Sequence, residues 1–145
     1  MSPFPDPREA TSAEATPRQA TVGYLVRDLF FEVRVTETLK RLNLAACSMA
    51  RATPDHAPAP LDLLMVDLST PPERWEPLIQ SAHAAGCPVL AFGSHMDQAR
   101  WQRARAAGAT RIVANSQLVE RMSELIGKLL QDQAGSSTTT AQGGT

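Results

Sequence analysis

Short apolar runs and amphipathic stretches alternate through the middle of the chain. The apolar runs predict five β-strands, at 21–26, 44–49, 63–66, 88–92 and 111–114. The third run, Leu-Leu-Met-Val, is unbroken, which is typical of a strand buried on both faces of a parallel sheet. Between the runs, apolar residues recur at helical spacing. The first such stripe is Phe31, Val35, Leu39 and Leu42, and the last is Leu118, Met122, Leu125 and Leu129.

This alternation predicts an α/β fold, because a helix is the usual crossover between two parallel strands. We predict a flavodoxin-like, doubly wound sheet of five parallel strands in the order 2-1-3-4-5. The segment 51–60, between the second and third strands, contains three prolines, which a helix interior does not tolerate. We therefore expect the second helix to be missing or reduced to a turn. That flank of the sheet would then be open to a partner or a second copy, or the loop would simply lie over it.

Both ends of the chain differ from its middle. Residues 1–20 hold four prolines among small and polar residues, and the end from Gln131 onwards is a polar, low-complexity sequence. Neither stretch offers enough apolar surface to offset the entropy lost when a chain is ordered. We expect disordered tails at 1–20 and 132–145, and one domain at 21–131.

Composition and charge narrow the classes of function. The formal net charge is −1 at pH 7, with Lys+Arg 14 against Asp+Glu 15, and 43% of the residues are hydrophobic. This balance argues against nucleic acid or an anionic membrane as the main partner. No run approaches the roughly 20 apolar residues that span a bilayer, and the N-terminus lacks the apolar stretch of a signal peptide. We therefore expect a cytoplasmic protein.

The two cysteines are too few for a disulfide framework. Cys47 and Cys87 fall on the second and fourth strands, which the predicted order separates by three strand spacings, or about 14 Å. A disulfide requires Cα atoms within about 7 Å of each other. We therefore predict two separate thiols.

Candidate site residues follow the predicted strands at their carboxyl ends, where doubly wound sheets bind their ligands. They are Arg27, Asp28, Asp67, Gly93, Ser94, His95 and Asn115. Asp28 and Asp67 follow neighbouring strands, and their carboxylates would repel unless a divalent cation or a basic side chain lay between them. Simpler interpretations are also open, namely that Asp28 caps the first helix, that Asp67 is a turn residue and that His95 is an exposed loop residue.

Four segments resemble, in register, parts of the receiver domains of response regulators, the CheY-like family. The segment 62–71, Asp-Leu-Leu-Met-Val-Asp-Leu-Ser-Thr-Pro, is similar to their phospho-acceptor strand and loop, which would make Asp67 the acceptor. The segments 24–28, 88–92 and 106–109 resemble their first strand, their fourth strand and the Ala-Gly-Ala stretch before their fifth strand. The resemblance covers about residues 22–130 and implies signal transduction in a two-component phosphorelay.

The chain departs from the receiver pattern at the metal site. Receivers carry two acidic residues after the first strand to hold Mg²⁺, but here Arg27 takes the first place and only Asp28 matches. We expect Asp28 and Asp67 to bind metal weakly if at all, so that Mg²⁺ would matter only if Asp67 is phosphorylated. Arg27 could instead pair with Asp67 or Asp28 and occupy the place of the cation.

Two further departures affect the phosphoryl group itself. The resemblance places Gly93 where receivers carry a switch Ser or Thr, with Ser94 one residue later, and Asn115 where they carry Lys. A phosphoryl group on Asp67 would therefore lack the usual hydroxyl and ammonium partners. Losing a charge-assisted hydrogen bond of this kind removes about 1.5–3 kcal/mol of stabilisation.

We therefore predict a stand-alone, degenerate receiver (a pseudo-receiver) that acts through protein–protein interaction without phosphorylation, without enzymatic activity and without a cofactor. The first alternative is a single-domain response regulator phosphorylated on Asp67. The second is a small enzyme or ligand-binding protein that uses a crevice of Asp28, Asp67 and His95. The expected partner is another protein, either kinase-like or an output partner. By resemblance, it would dock on the face of the receiver's fourth helix, fifth strand and fifth helix, where a homodimer could also form.

Overall fold

The computed structural model describes residues 19–50 and 60–143, with side chains described up to residue 132. Five strands and four helices make up this part of the chain. The strands are β1 (Thr21–Leu25), β2 (Ala45–Ser48), β3 (Leu63–Asp67), β4 (Val89–Gly93) and β5 (Arg111–Ala114). The helices are α1 (Leu29–Arg41), α2 (Pro72–Ala84), α3 (Gln98–Ala107) and α4 (Asn115–Gly143).

All five strands are parallel, and their order in the sheet is β2-β1-β3-β4-β5. The predicted doubly wound α/β sheet is therefore confirmed. The neighbouring strands β3 and β4 are buried along their whole length. Because successive side chains of a strand point to opposite faces, Leu63 and Met65 enter the core on one side of the sheet, and Leu64 and Val66 on the other.

A layer of helices covers each face of the sheet. Helices α1 and α4 pack together on one face, where Val35 of α1 and Leu125 of α4 belong to the same buried cluster. Helices α2 and α3 pack together on the other face, where Trp75 and Ala104 belong to a second cluster. All four residues of the last apolar stripe are buried on α4, as the helical spacing predicts.

Helix α4 runs past the position where the sequence predicts the domain to end. Its backbone is helical as far as Gly143, whereas the sequence predicts a tail from residue 132. Arg121 interrupts the helix with non-helical angles (φ −126°, ψ 27°), and Arg34 of α1 donates to the nearby carbonyl of Val119 at 3.5 Å. Of the predicted N-terminal tail, residues 1–18 lie outside the described residues. The limits of the domain stay a prediction.

The flank of the sheet beside β1 and β2 is where we predict the second helix to be missing or reduced. The segment 51–59 lies outside the described residues, so the connection there stays a prediction. A side-chain carbon placed on Gly23 in β1 would lie 2.7 Å from Leu61 Cδ1 and 3.1 Å from Met49 Sδ. Gly23 therefore leaves room for these two apolar side chains, which cover part of the flank.

Candidate functional site

The predicted site residues converge on the carboxyl edge of the sheet, as expected for a doubly wound fold. Asp67 is the last residue of β3, which lies between β1 and β4. Arg27 and Asp28 follow β1, Gly93 ends β4, and Asn115 comes directly after β5. The fold thus brings residues from four neighbouring strands to one edge.

The Asp67 carboxylate is buried and bound by donors of the protein itself. The residue is 3% exposed. Its Oδ1 accepts hydrogen bonds from the backbone N–H of Ser69 at 2.9 Å and from the Ser69 hydroxyl at 2.7 Å. Its Oδ2 accepts a hydrogen bond from the backbone N–H of Arg27 at 3.1 Å. Hydrogen bonds to a charged acceptor contribute about 1.5–3 kcal/mol each, so these contacts hold the loop after β3 against the end of β1.

Two arginines fix the loop after β3 from different elements. Arg27 Nη1 donates to the carbonyl of Ser69 at 3.3 Å. Arg100 Nη1, from the first turn of α3, donates to the carbonyl of Leu68 at 2.8 Å. The loop that follows Asp67 is therefore tied to the end of β1 and to helix α3 at successive carbonyl groups.

Asp28 caps the start of helix α1. Its Oδ1 accepts the backbone N–H of Phe30 at 2.8 Å, which makes it the N-cap of the helix. The predicted ion pair of Arg27 with Asp28 or Asp67 is wrong for the described part of the chain, where only the backbone amide of Arg27 reaches a carboxylate. Each carboxylate is already bound by N–H groups near it, and the Arg27 guanidinium contacts a carbonyl oxygen instead.

Hydrogen-bond donors and a positive charge surround Asp67, one of the two candidate metal ligands. Mg²⁺ is octahedral, but it usually keeps several of its waters and is bound through one or two carboxylates. Across residues 19–50 and 60–143, no group of three or more His, Cys, Asp or Glu side chains lies together. The oxygens of Asp67 face N–H and O–H donors, and Arg27 places a positive charge at the same edge.

Leu68 would crowd a side chain at Gly93, the position where the resemblance places a switch Ser or Thr. A side-chain carbon placed on Gly93 would lie 3.1 Å from Leu68 Cβ, closer than nine in ten contacts of this kind. Leu68 is 1% exposed and cannot move into solvent without leaving the core. A Ser or Thr at the end of β4 would therefore need Leu68, the residue after Asp67, to shift by a few tenths of an ångström.

The remaining candidates line or border the site without contacting Asp67. Ser94 is exposed, and its hydroxyl accepts the backbone N–H of Met96 at 3.2 Å. His95 is also exposed, in agreement with its simpler interpretation as a loop residue. Asn115 Oδ1 is buried and has no hydrogen-bond partner among the described residues. Asn115 thus offers a neutral amide where the resemblance places an ammonium group.

A cleft of about 100 Å³ lies beside the site. Its polar lining residues are Ser69, Ser94, Asp97, Arg100, Trp101 and Asn115. This volume has room for about three water molecules at roughly 30 Å³ each. Asp28, Asp67 and His95 are not among the residues that line this cleft.

Sequence reasoning missed three residues of this site, Leu68, Ser69 and Arg100. A serine two residues after an aspartate is a common turn pattern, and this signal could have identified Ser69 as a partner of Asp67. Arg100 follows the helix cap Asp97 by three residues, and its backbone N–H donates to Asp97 Oδ1 at 3.2 Å. The spacing explains that local contact, but the reach of Arg100 to the loop after β3 depends on how α3 packs.

Both cysteines are free, in agreement with the prediction of two separate thiols. Cys87 is buried and Cys47 is partly exposed. Burial, with a smaller contribution from the charge of Asp62, raises the pKa of the Cys87 thiol to about 11.

Within the described part of the chain, no helix combines the length and the apolar character that a membrane span requires.

Comparison with solved structures identifies the fold. No family model and no curated protein matches this sequence. Full-length FixJ from B. japonicum matches with a TM-score of 0.68 at 15% identity, over 86% of this chain and 64% of FixJ. The signal receiver domain of an HD domain-containing protein from Pseudomonas fluorescens Pf-5 matches with a TM-score of 0.70 at 14% identity, over 85% of this chain and 95% of that one.

A response regulator from Thermotoga maritima also matches, with a TM-score of 0.63 at 16% identity, over 79% of this chain and 99% of that one. Identities this low show the fold alone. The chain has the fold of CheY-like receiver domains, and the resemblance found in the sequence is confirmed at that level.

Proposed function

We propose that this chain is a receiver-like signalling domain that acts through protein–protein interaction without phosphorylation of Asp67. The observation that carries the proposal is that the Asp67 carboxylate is buried and that both of its oxygens accept hydrogen bonds. Its oxygens accept three hydrogen bonds from Arg27 and Ser69, and the residue is 3% exposed. Three of the roughly four acceptor positions of this carboxylate are thus occupied, and its burial limits the access of an incoming phosphoryl group.

The charges around Asp67 support the same proposal. Phosphoryl transfer depends on cations that neutralise the negative charge of the transferring group. Asp28, the remaining acidic residue of the pair, caps helix α1 through its Oδ1. Asn115 contributes a neutral amide, and Gly93 contributes no hydroxyl. We infer that no Mg²⁺ is needed for the function of this domain.

Beryllofluoride with millimolar Mg²⁺ tests this proposal, because it mimics a phosphoryl group on an accessible aspartate. We expect the amide NMR signals of Leu68, Ser69 and Gly93 to stay unchanged. The double variant Arg27→Asp, Asn115→Lys rebuilds the acidic residue and the ammonium, and we expect it to gain a Mg²⁺-dependent shift of these signals. A saturable response in the natural chain that is lost in Asp67→Asn would contradict the proposal.

The alternative function is that of a single-domain response regulator phosphorylated on Asp67. One observation favours it, since Asp67 ends β3 at the carboxyl edge of a receiver fold, where the resemblance places the acceptor. Phosphorylation would require one carboxylate oxygen to become accessible, either Oδ1, which Ser69 binds, or Oδ2, which the backbone N–H of Arg27 binds. Incubation with acetyl phosphate and Mg²⁺ followed by intact-mass measurement distinguishes the two, because only the alternative predicts a phosphoryl adduct that is absent from Asp67→Asn.

The partner surface follows from the resemblance. We propose the face formed by α3, β5 and the first half of α4 as the place where another protein docks. Arg105 on this face is exposed and carries a positive charge. Capture of a partner by the natural chain, and its loss in Arg105→Glu, would support this surface, whereas capture unaffected by the substitution would argue against it.

A further inference from the structure

Two buried side-chain atoms have no hydrogen-bond partner among the described residues, and they belong to residues of the same small cleft. They are the indole Nε1 of Trp101, on α3, and the Oδ1 of Asn115, at the start of α4. Both residues line the cleft of about 100 Å³ beside the candidate site. Buried polar groups are paired in the great majority of cases, so each exception calls for a specific explanation, such as a group bound there.

The other polar side chains of the cleft already have partners in the protein. The Ser69 hydroxyl donates to a carboxylate oxygen at 2.7 Å, and the Ser94 hydroxyl accepts a backbone N–H at 3.2 Å. Asp97 and Arg100 form an ion pair at 3.5 Å, so the charges of the lining cancel. An additional charge in the cleft would lack a counter-ion, which is costly away from water. The cleft therefore fits an uncharged group that brings one acceptor for the indole N–H and one donor for the amide oxygen.

The volume of the cleft limits the size of this group to about that of three water molecules. A primary carboxamide has three non-hydrogen atoms, of which the oxygen accepts and the nitrogen donates. A carboxylate of the same size has no donor, and an ammonium group has no acceptor. A hydroxyl has both functions but fills only about a third of the space. The carboxamide is therefore the group that fits both the volume and the two unpaired atoms.

We infer that this cleft binds the carboxamide of an asparagine or glutamine side chain of a partner protein, between Trp101 Nε1 and Asn115 Oδ1. The inference rests on the proposed function, since it names the chemistry that the partner presents at the face of α3, β5 and the first half of α4. The two residues belong to α3 and α4, the helices of that face. A free amide of so few atoms would bind weakly, whereas a side chain of a docked protein adds its contacts without a second loss of translational freedom.

Binding in the cleft must change the surroundings of the Trp101 indole. The two unpaired atoms are buried, although Trp101 and Asn115 are each partly exposed as residues. A ligand therefore reaches these atoms only when the indole or the amide turns toward the cleft. The last torsion of both side chains has a broad energy minimum, so a turn of this kind costs little. The indole N–H consequently reports whether the cleft is occupied.

The indole N–H signals in an NMR titration with acetamide test the inference, because the chain contains Trp 2 and gives one such signal for each. We expect the Trp101 signal to shift saturably, with half-saturation at roughly 1–100 mM for so small a probe. Trp75 is the internal control, since its Nε1 already donates to the Thr70 carbonyl at 3.0 Å, and its signal should not move. N,N-dimethylacetamide keeps the acceptor but lacks the donor, and it should need at least about a tenfold higher concentration.

Variants and a peptide probe test the two ends of the contact. Asn115→Leu removes the acceptor, so acetamide and N,N-dimethylacetamide should then shift the Trp101 signal at similar concentrations. Gln102→Leu is the matched control, because it removes an exposed amide next to Trp101, and it should keep the preference for acetamide. A Gly-Gln-Gly peptide with acetyl and N-methyl caps should bind at least as tightly as acetamide, whereas the Gly-Glu-Gly peptide should not bind. Equal thermal unfolding temperatures would show that the variants fold.

Three results would overturn the inference. The first is a Trp101 signal that acetamide does not move, which would mean that the cleft takes water only. The second is an equal or stronger response to N,N-dimethylacetamide, ethanol or acetate, which would exclude selection for a carboxamide. The third is a response to acetamide but not to the glutamine peptide, which would exclude a protein side chain. None of these results depends on the response to beryllofluoride or on Arg105→Glu, so this inference and the proposed function can fail separately.

Discussion

The Asp67 pocket and the apolar outer face of α1 (Leu29, Phe30 and Val33) lie near the same edge of the sheet but differ in what they expose to water. In the pocket, the carboxylate of Asp67, the candidate phospho-acceptor, belongs to a residue that is 3% exposed, and it accepts three hydrogen bonds. On α1, Leu29 and Phe30 have no reactive group and are more than half exposed. A charged group is thus buried while apolar groups are open, the reverse of the usual distribution between core and surface. The difference indicates a domain whose pocket contributes stability and whose helix surface is available for contacts.

The largest expected effect compares two phenylalanines, one in each region. Phe92 is fully buried in β4 and pairs in register with Asp67, so Phe92→Ala should lower the free energy of unfolding by about 3–5 kcal/mol. Phe30→Ala should lower it by less than about 1 kcal/mol, because most of this ring is already in water. Urea unfolding followed by circular dichroism measures both values. A comparable loss in the two variants would show that Phe30 belongs to the core.

The next effect compares the two aspartates. Asp67→Ala leaves three donors without their acceptor and should cost at least about 3 kcal/mol, because hydrogen bonds to a buried carboxylate are lost. Asp28→Ala removes only an exposed helix cap and should cost about 1 kcal/mol. The same unfolding measurement applies. If Asp67→Ala were as stable as the natural chain, the closed pocket would have no structural role, and the proposal of an inert acceptor would lose its main support.

A smaller effect is expected at Gly93, where Leu68 would crowd a side chain. Gly93→Ser should cost about 1–2 kcal/mol, because the new carbon would press against Leu68. Gly127 is the matched control, since a side-chain carbon there would meet nothing within 4 Å. Gly127→Ser should be neutral or slightly stabilising, because serine has the higher helix propensity. Equal tolerance at both positions would show that Leu68 can move aside.

The smallest effect concerns pH and a buried thiol. Burial raises the pKa of Cys87 from 9.0 to about 11, so between these values the unfolded chain releases this proton while the folded chain keeps it. Stability should therefore fall as pH rises from 9 to 11, because the folded state then binds more protons than the unfolded state. The urea midpoint should fall more steeply over this range for the natural chain than for Cys87→Ala. Parallel slopes would show that Cys87 ionises as readily in the folded chain as in the unfolded one.

The fold followed from local patterns because each pattern reports burial. The run at 63–66 is apolar at every position, and β3 is buried on both faces of the sheet. Phe31 belongs to the predicted inward stripe of α1 and packs against Phe92, with ring centres 5.6 Å apart. Phe30 lies off that stripe and is exposed. The same periodicity therefore separated the inner phenylalanine from the outer one.

The site was predicted in its location but not in its contacts. The carboxyl-edge rule identified Asp67 and Arg27, which do meet, but through the backbone amide of Arg27 and not through its side chain. The hydrogen bond between Ser69 and Asp67 is local and could have been read from the turn pattern. The contact of Arg100 with the Leu68 carbonyl joins residues 32 apart in the chain, and no local pattern encodes it.

By resemblance to doubly wound folds and to receivers, the sequence predicted the strand order and the departures at Arg27, Gly93 and Asn115. By itself, it determined the parallel sheet and the inward faces of α1 and α4. Those features depend on residue type and spacing, which the chain carries along its own length. Only the tertiary structure decided that Asp67 is buried and hydrogen-bonded and that Leu29 and Phe30 on α1 are exposed to water. Exposure and hydrogen bonding at these positions depend on which distant groups arrive next to them, and that is fixed only when β1, β3 and α3 pack together.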